Sequence, residues 1–235
     1  MPLDNIEELL ERQVEYNMAI AEEGLKGDYG ACIGKILLHR DPESLRIQAK
    51  ARAAAASDAR MNGCELSVVI VSGSGNQGIT ASVPVAVYAE KLGVSHEKKW
   101  RAILLSDLIT IYLKQGIGKL SAYCCAVSAG CGSGAGIAYL YGRTEKKIEH
   151  VVENALVINS GIICDGAKSS CAAKIAMAVE GGELAFEMMM AGKNFAGSDG
   201  IVQKTADETI AAIGKIASHG MVETDKEIID VMLGI

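Results

Sequence analysis

The sequence predicts an all-α domain of about eight to ten helices spanning residues 1–235. Three observations predict it. Apolar residues recur at helical spacing in one segment after another, and only one short run reads as a strand. The 26 glycines in 235 residues exceed the usual ~7% and fall where helices end or touch. No solenoid repeat or low-complexity linker divides the chain, so a single domain is expected.

The elements follow in order. Asp4 is placed to cap a first helix with Ile6, Leu9, Leu10, Val14 and Met18 on one face. Asp41 and Pro42 read as N-cap and first helical position of SLRIQAKARAAAASDARM, which Gly63 closes. Ala51 and Ala53 to Ala56 give that helix a small face, so a neighbour can approach closely. The run LSVVIV at 66–71 reads as a strand or a buried helical turn. Ser95 opens HEKKWRAILLSDLITIYLKQ, and Thr144 opens a helix carrying Ile148, Val151, Ala155, Ile158 and Ile162. Ser198 precedes another, with Val202, Ala206, Ile210, Ile213 and Ala217. Thr224 and Glu227 form the T-x-x-E capping box of a terminal helix.

Composition excludes several function classes. Apolar residues make up 49% and charged residues 22%, which is the balance of a folded chain. No apolar run approaches the ~20 residues of a membrane span. The start, MPLDNIEELLERQ, lacks the apolar core of a signal peptide, so a cytoplasmic location is expected. A net charge of -6, a pI near 5.3 and 4% aromatics argue against a nucleic-acid surface, which needs clustered cations and stacking platforms.

The loop SGSGNQG at 72–78 places Gly73, Gly75 and Gly78 in G-x-G-x-x-G order. A dinucleotide fingerprint is poorly supported, because Pro84 follows, helical segments come next, and no acid closes a second strand about 20 residues on. Two readings remain. One is a helix-to-helix turn that uses the positive φ open to glycine. The other is an anion nest at a helix N-terminus, built from Ser72, Ser74, Gly75, Asn76, Gln77 and Gly78, that receives a carboxylate. No basic or aromatic residue flanks the loop in sequence, which favours a ligand smaller than a nucleotide.

Seven cysteines are an odd number, and a chain without an export signal is a poor candidate for a disulfide framework. Five of them, Cys124, Cys125, Cys131, Cys164 and Cys171, lie in the most glycine-rich part of the chain. Their spacing matches neither the paired C-x2-C of a zinc ribbon nor a ferredoxin run. Spacing alone defines no metal site.

The motifs SGSGNQG, KLSAYCCAVSAG and ICDGAKSSC resemble the iron–sulfur L-cysteine desulfidases and the alpha domains of bacterial iron–sulfur L-serine dehydratases. EEGLKGDYG near the start and GMVETDKEIIDVM near the end fit the same pattern, so the resemblance covers essentially the whole chain. It implies an all-helical domain that binds a [4Fe–4S] cluster through three cysteines, here Cys124, Cys164 and Cys171. Cys125 stands where the family usually has a small residue, so both Cys124 and Cys125 remain open as the first ligand. Cys131, Cys32 and Cys64 have no ligand role in the pattern and are expected in the core.

The implied reaction is β-elimination: L-cysteine to hydrogen sulfide, pyruvate and ammonia, or L-serine to pyruvate and ammonia. An iron with an open position would act as a Lewis acid. Family enzymes carry a preceding N-terminal half. That beta-like domain or subunit is expected as a partner that supplies the general base, and this chain alone is expected to turn over little substrate. Within the chain, Asp165 and Lys168 of the CDGAK turn are candidate catalytic groups, set against a helix cap and a solvated cation. His39, His96, His150 and His219 are read as solvated. Self-association is expected, and neither nucleic acid nor membrane is expected as a partner. Two other classes stay open: a non-catalytic iron–sulfur or binding subunit, and a nucleotide-dependent enzyme using the 72–78 loop.

Overall fold

The computed structural model describes residues 3, 5–118 and 121–235. Ten α-helices and no β-strand are present among the described residues. They are α1 (Glu7–Lys26), α2 (Ile33–Arg40), α3 (Leu45–Met61), α4 (Gly75–Leu92), α5 (His96–Ile117), α6 (Cys125–Leu140), α7 (Glu145–Asn159), α8 (Cys171–Met190), α9 (Ala206–Lys215) and α10 (Val222–Leu233). A short π-helical segment, Ile216–Gly220, joins α9 to α10.

Helix α6, CAVSAGCGSGAGIAYL, is the central post, packed against α4, α5, α7 and α8. Every residue in it is buried except Cys125 and Tyr139, which are half-buried. Its small side chains make this possible. A Cβ on Gly130 would fall 2.3 Å from the Ala178 carbonyl oxygen of α8, and one on Gly132 would fall 2.4 Å from the Ser106 carbonyl oxygen of α5. Glycine inside a helix costs about 1 kcal/mol relative to alanine. Close backbone packing against two neighbours offsets that cost with many small dispersion contacts.

The alanine face of α3 behaves as expected. Ala49, Ala51 and Ala53 to Ala56 are fully buried. Gly24 of α1 and Gly34 of α2 lie on it so tightly that a Cβ on Gly24 would come within 2.0 Å of the Ala55 carbonyl oxygen.

Several predicted boundaries move. The Asp4 cap lies outside the described residues, and α1 has Ile6 at its N-cap with Glu7 and Glu8 in the first turn, where acids favour the helix dipole. Asp41 closes α2, a helix not read in the sequence. Ser44 caps α3, its hydroxyl accepting from the Ile47 amide at 3.4 Å. Ser95 caps α5 as expected, accepting from the Lys98 amide at 3.3 Å. Ser198 sits in a turn at φ +86, and the helix beyond it starts only after Thr205, which accepts from the Glu208 amide at 3.2 Å. The Thr224–Glu227 box does not form. The π-helical segment carries the chain on from α9, so α10 begins at Val222 and Thr224 falls inside its first turns.

LSVVIV is neither strand nor helix. It is extended, and its one bridge joins Val71 to Ser74 within a turn. Asn17 of α1 serves as its partner instead. The Asn17 Oδ1 accepts from the Val69 amide at 2.9 Å, while Nδ2 donates to the Val69 carbonyl at 3.3 Å and to Ser82 Oγ at 3.0 Å. One buried amide thus satisfies backbone groups that a neighbouring strand would otherwise pair. None of the described helices is long and apolar enough to cross a membrane.

Candidate functional site

Two turns carry the cysteines, and backbone hydrogen bonds tie them together. The Cys124 amide donates to the Ile162 carbonyl at 3.0 Å, and the Cys164 amide donates to the Ala122 carbonyl at 2.6 Å. They flank an antiparallel bridge between Tyr123 and Ile163. Cys124 and Cys125 therefore arrive at the start of α6, Cys164 arrives beside them, and Cys171 opens α8. All four line one cavity of about 270 Å³.

The 72–78 loop meets the same cavity at the start of α4. Ser72 (φ +49) and Gly73 (φ +85) are both left-handed, which turns the extended segment into the helix. Gly73, Ser74 and Asn76 line the cavity. Ser74 Oγ accepts from the Gln77 amide at 3.4 Å and lies 3.8 Å from Cys125 Sγ.

The rest of the predicted nest is elsewhere. Ser72 is exposed and does not line the cavity. Gln77 is fully buried behind the loop, with neither amide atom hydrogen-bonded. Gly75 and Gly78 are close-packing positions: a Cβ on Gly78 would fall 1.9 Å from the Val69 carbonyl oxygen, and one on Gly75 would meet Arg60 and Val68.

Asp165 is paired with Lys174 of α8, and that partner holds its carboxyl below the usual range. Lys168 is exposed, and what it offers the site is its backbone amide, 3.5 Å from Cys171 Sγ. None of the four histidines lines the cavity. Cys131 is fully buried in α6, whereas Cys64 is half-buried at the core's edge. Cys32 does not join the core: it donates to Asp28 Oδ1 at 3.1 Å on an exposed turn.

Two cations that line the cavity were missed in the sequence. Arg60, from the last turn of α3, donates to Asn76 Oδ1 at 3.2 Å, so the loop does have a basic neighbour, brought by the fold and not by the chain. Lys174 lies one turn after Cys171 on α8, a spacing that put both on one face. A third cation, Lys114 of α5, is almost fully buried and acts on Cys125.

Among the described residues, no Asp or Glu lines the cavity. Side-chain interaction with Cys125 and Cys164 pushes the Cys124 thiol up and lowers Cys125 to about 7 and Cys164 to about 6. Burial pushes Cys171 up. The arrangement suits an electron-poor, thiophilic guest and a small anion.

No group of three or more His, Cys, Asp or Glu among the described residues is arranged to hold a metal ion. The four thiols instead surround a cavity. That donor set fits a multi-iron cluster, whose cysteines attach at separate irons, better than a lone ion. No strand precedes the glycine loop among the described residues, which removes the basis of a dinucleotide fold.

Comparison with known proteins places the chain in a family context. The family model for the serine dehydratase alpha chain matches residues 1–230. The chain is 56% identical over 231 residues to a UPF0597 protein of Desulfitobacterium hafniense (strain Y51), covering 98% of this chain and 54% of that protein. It is 52% identical to a UPF0597 protein of Lachnoclostridium phytofermentans, covering 98% of this chain and 55% of that one. It is 47% identical to another from Finegoldia magna, with the same two shares. The chain spans about half the length of the curated relatives it matches.

Proposed function

The chain belongs to the serine dehydratase alpha chain family, and we propose that it is the alpha domain of an iron–sulfur L-cysteine desulfidase. The reaction is β-elimination of L-cysteine to hydrogen sulfide, pyruvate and ammonia. The observation that carries this reading is the meeting of four cysteine thiols, from two distant turns, around an acid-free cavity.

Cys124, Cys164 and Cys171 would hold a [4Fe–4S] cluster. When bound, it supplies a Lewis-acid iron for the leaving group at Cβ. The chain's own residues do the rest of the work at this face. Ser74 and Asn76 present the start of α4, where free amides and the helix dipole favour the substrate carboxylate. Lys174 offsets thiolate charge and pairs with the Asp165 carboxylate. With Asp165 paired and Lys168 exposed, neither is proposed as the base. That proton-abstracting group is assigned to a beta-like domain or subunit, and the greater length of the relatives leaves room for one.

A second reading, L-serine to pyruvate and ammonia, is favoured by the description of the matching family. The same side chains would serve a hydroxyl leaving group.

The test is anaerobic reconstitution with iron and sulfide, followed by iron content and absorption at the blue end of the visible spectrum. Turnover of L-cysteine and L-serine is then measured with and without the beta-like domain. A cluster lost in Cys164→Ser and Cys171→Ser but kept in Cys32→Ser is expected. Iron content unchanged in both pocket variants would overturn the ligand assignment. A cluster with no turnover of either amino acid, even beside the beta-like domain, would leave a non-catalytic iron–sulfur subunit.

A further inference from the structure

The guanidinium of Arg60 stands at the cysteine cavity with no carboxylate partner among the described residues. Elsewhere in the molecule, Arg46 and Arg52 sit on glutamates. Arg60 instead donates to neutral acceptors, Asn76 Oδ1 at 3.2 Å and Met61 Sδ at 3.9 Å, and among the described residues no Asp or Glu lines the cavity it borders.

Its placement is built by the backbone. Arg60 lies across the first residue of α4, where a Cβ on Gly75 would fall 2.5 Å from Arg60 Nε and 2.8 Å from its central guanidinium carbon. The absence of a side chain at Gly75 is what lets the guanidinium rest there. Asn76 then fixes one side of the fork.

Arginine carries five donors in a rigid plane, and Arg60 uses few of them on protein. A charged fork beside a helix N-terminus, facing a cavity without acids, calls for a small planar anion. A carboxylate fits that description, because two parallel N–H groups can engage both of its oxygens. Lys174, on the lining element α8, already supplies a cation beside Cys164 and Cys171. Charge screening of the thiols therefore does not account for a second, bidentate cation on the loop side.

We propose that Arg60 is the specificity-determining residue that receives the α-carboxylate of the amino-acid substrate. This rests on the β-elimination reading for the identity of the substrate, and on the cavity geometry for the carboxylate.

The test is calorimetric titration of the chain, cluster-free and cluster-loaded under anaerobic conditions, with L-serine and with ethanolamine, which lacks the carboxylate. Wild type is expected to bind L-serine at least about tenfold more tightly than ethanolamine. Arg60→Gln is expected to remove that preference, weakening L-serine about 10- to 100-fold with ethanolamine unchanged. Arg60→Lys, which keeps the charge but loses the fork, should recover part of it and guards against a folding defect in the glutamine variant. No preference in wild type, or a preference that survives Arg60→Gln, overturns the inference. Loss of iron in Arg60→Gln with the preference retained assigns Arg60 to the thiols and overturns it too. A carboxylate preference that depends on Arg60, in a chain that takes up no iron, sustains the carboxylate site and sinks the lyase reading. Iron uptake and turnover with no role for Arg60 in the preference do the reverse.

Discussion

The Cys164 amide donates to the Ala122 carbonyl at 2.6 Å, joining two turns that are separated in the chain by the whole of α6 and α7. Through this bond and its neighbour from Cys124 to Ile162, the backbone itself positions the thiols. The cysteines are therefore held from behind, and their sulfurs are left to face the cavity.

That backbone tie separates the two adjacent thiols. Cys124 is buried at the bridge, where its thiol interacts with those of Cys125 and Cys164, whereas Cys125 opens α6 beside Ser74. Cys124→Ser is expected to lose most of the iron taken up on reconstitution, and Cys125→Ser to keep it. Iron analysis of the two variants side by side decides the point, and the reverse pattern would move the first ligand to Cys125.

Gly130→Ala tests the crossing of α6 with α8. Helix propensity alone favours alanine by about 1 kcal/mol. Here the new Cβ would meet the Ala178 carbonyl oxygen at 2.3 Å, which is backbone and does not yield cheaply. Overpacking of a tight core costs about 1–3 kcal/mol, and the net outcome expected is destabilisation. Chemical denaturation of the two proteins measures it, and an unchanged or raised midpoint would show that α8 shifts freely.

Asn17→Ala removes the partner of the extended 66–71 segment. Two Val69 backbone groups and Ser82 lose hydrogen bonds to Asn17. Unsatisfied buried groups cost about 1–3 kcal/mol, and the cost is concentrated in one segment. Hydrogen exchange is expected to quicken at Val69 well before the α6 core opens. Uniform quickening across the molecule would contradict this local account.

Asp107 links stability to pH. Burial raises its carboxyl to about 7, although Gln13 Nε2 donates to it at 3.0 Å and acts in the other direction. The folded value lies above the unfolded one. The protonated native form is therefore fully stable below about pH 4, and that contribution is lost as pH rises toward 7. Asp107→Asn keeps an acceptor for Gln13 and has no proton to lose. Its advantage over wild type should grow by up to about 1.4 kcal/mol per pH unit across that window and level off above it. Urea midpoints at pH 4, 6 and 8 check the slope, and a difference independent of pH would show that the Asp107 carboxyl is not displaced.

Local chemistry read well where a residue acts on its own neighbours. The Ser95 cap, the alanine face of α3 and the all-helical class need only spacing and side-chain size, which sequence carries directly. Thr224 does not cap a helix because a capping box requires the preceding chain to leave the helix, and the π-helical segment before it does not. LSVVIV reads as a strand or a buried helical turn, and its β-branched residues favour the extended backbone seen. Whether extended backbone pairs into a sheet depends on a partner, and here the partner is the Asn17 side chain.

The cysteine motifs by themselves determined the family and the candidate ligands, because residue type and order along the chain survive without coordinates. Only the tertiary structure decided what surrounds them. Arg60 and Lys174 reach the cavity from α3 and α8, Asp165 is drawn to Lys174, and Ser72, Gly75, Gln77 and Gly78 fall outside the lining. Those outcomes depend on how closely helices approach, which the glycines of α4, α6 and α8 set through contacts with residues far away in the chain. A glycine shows in sequence that space is available, and only the packed neighbour shows what fills it.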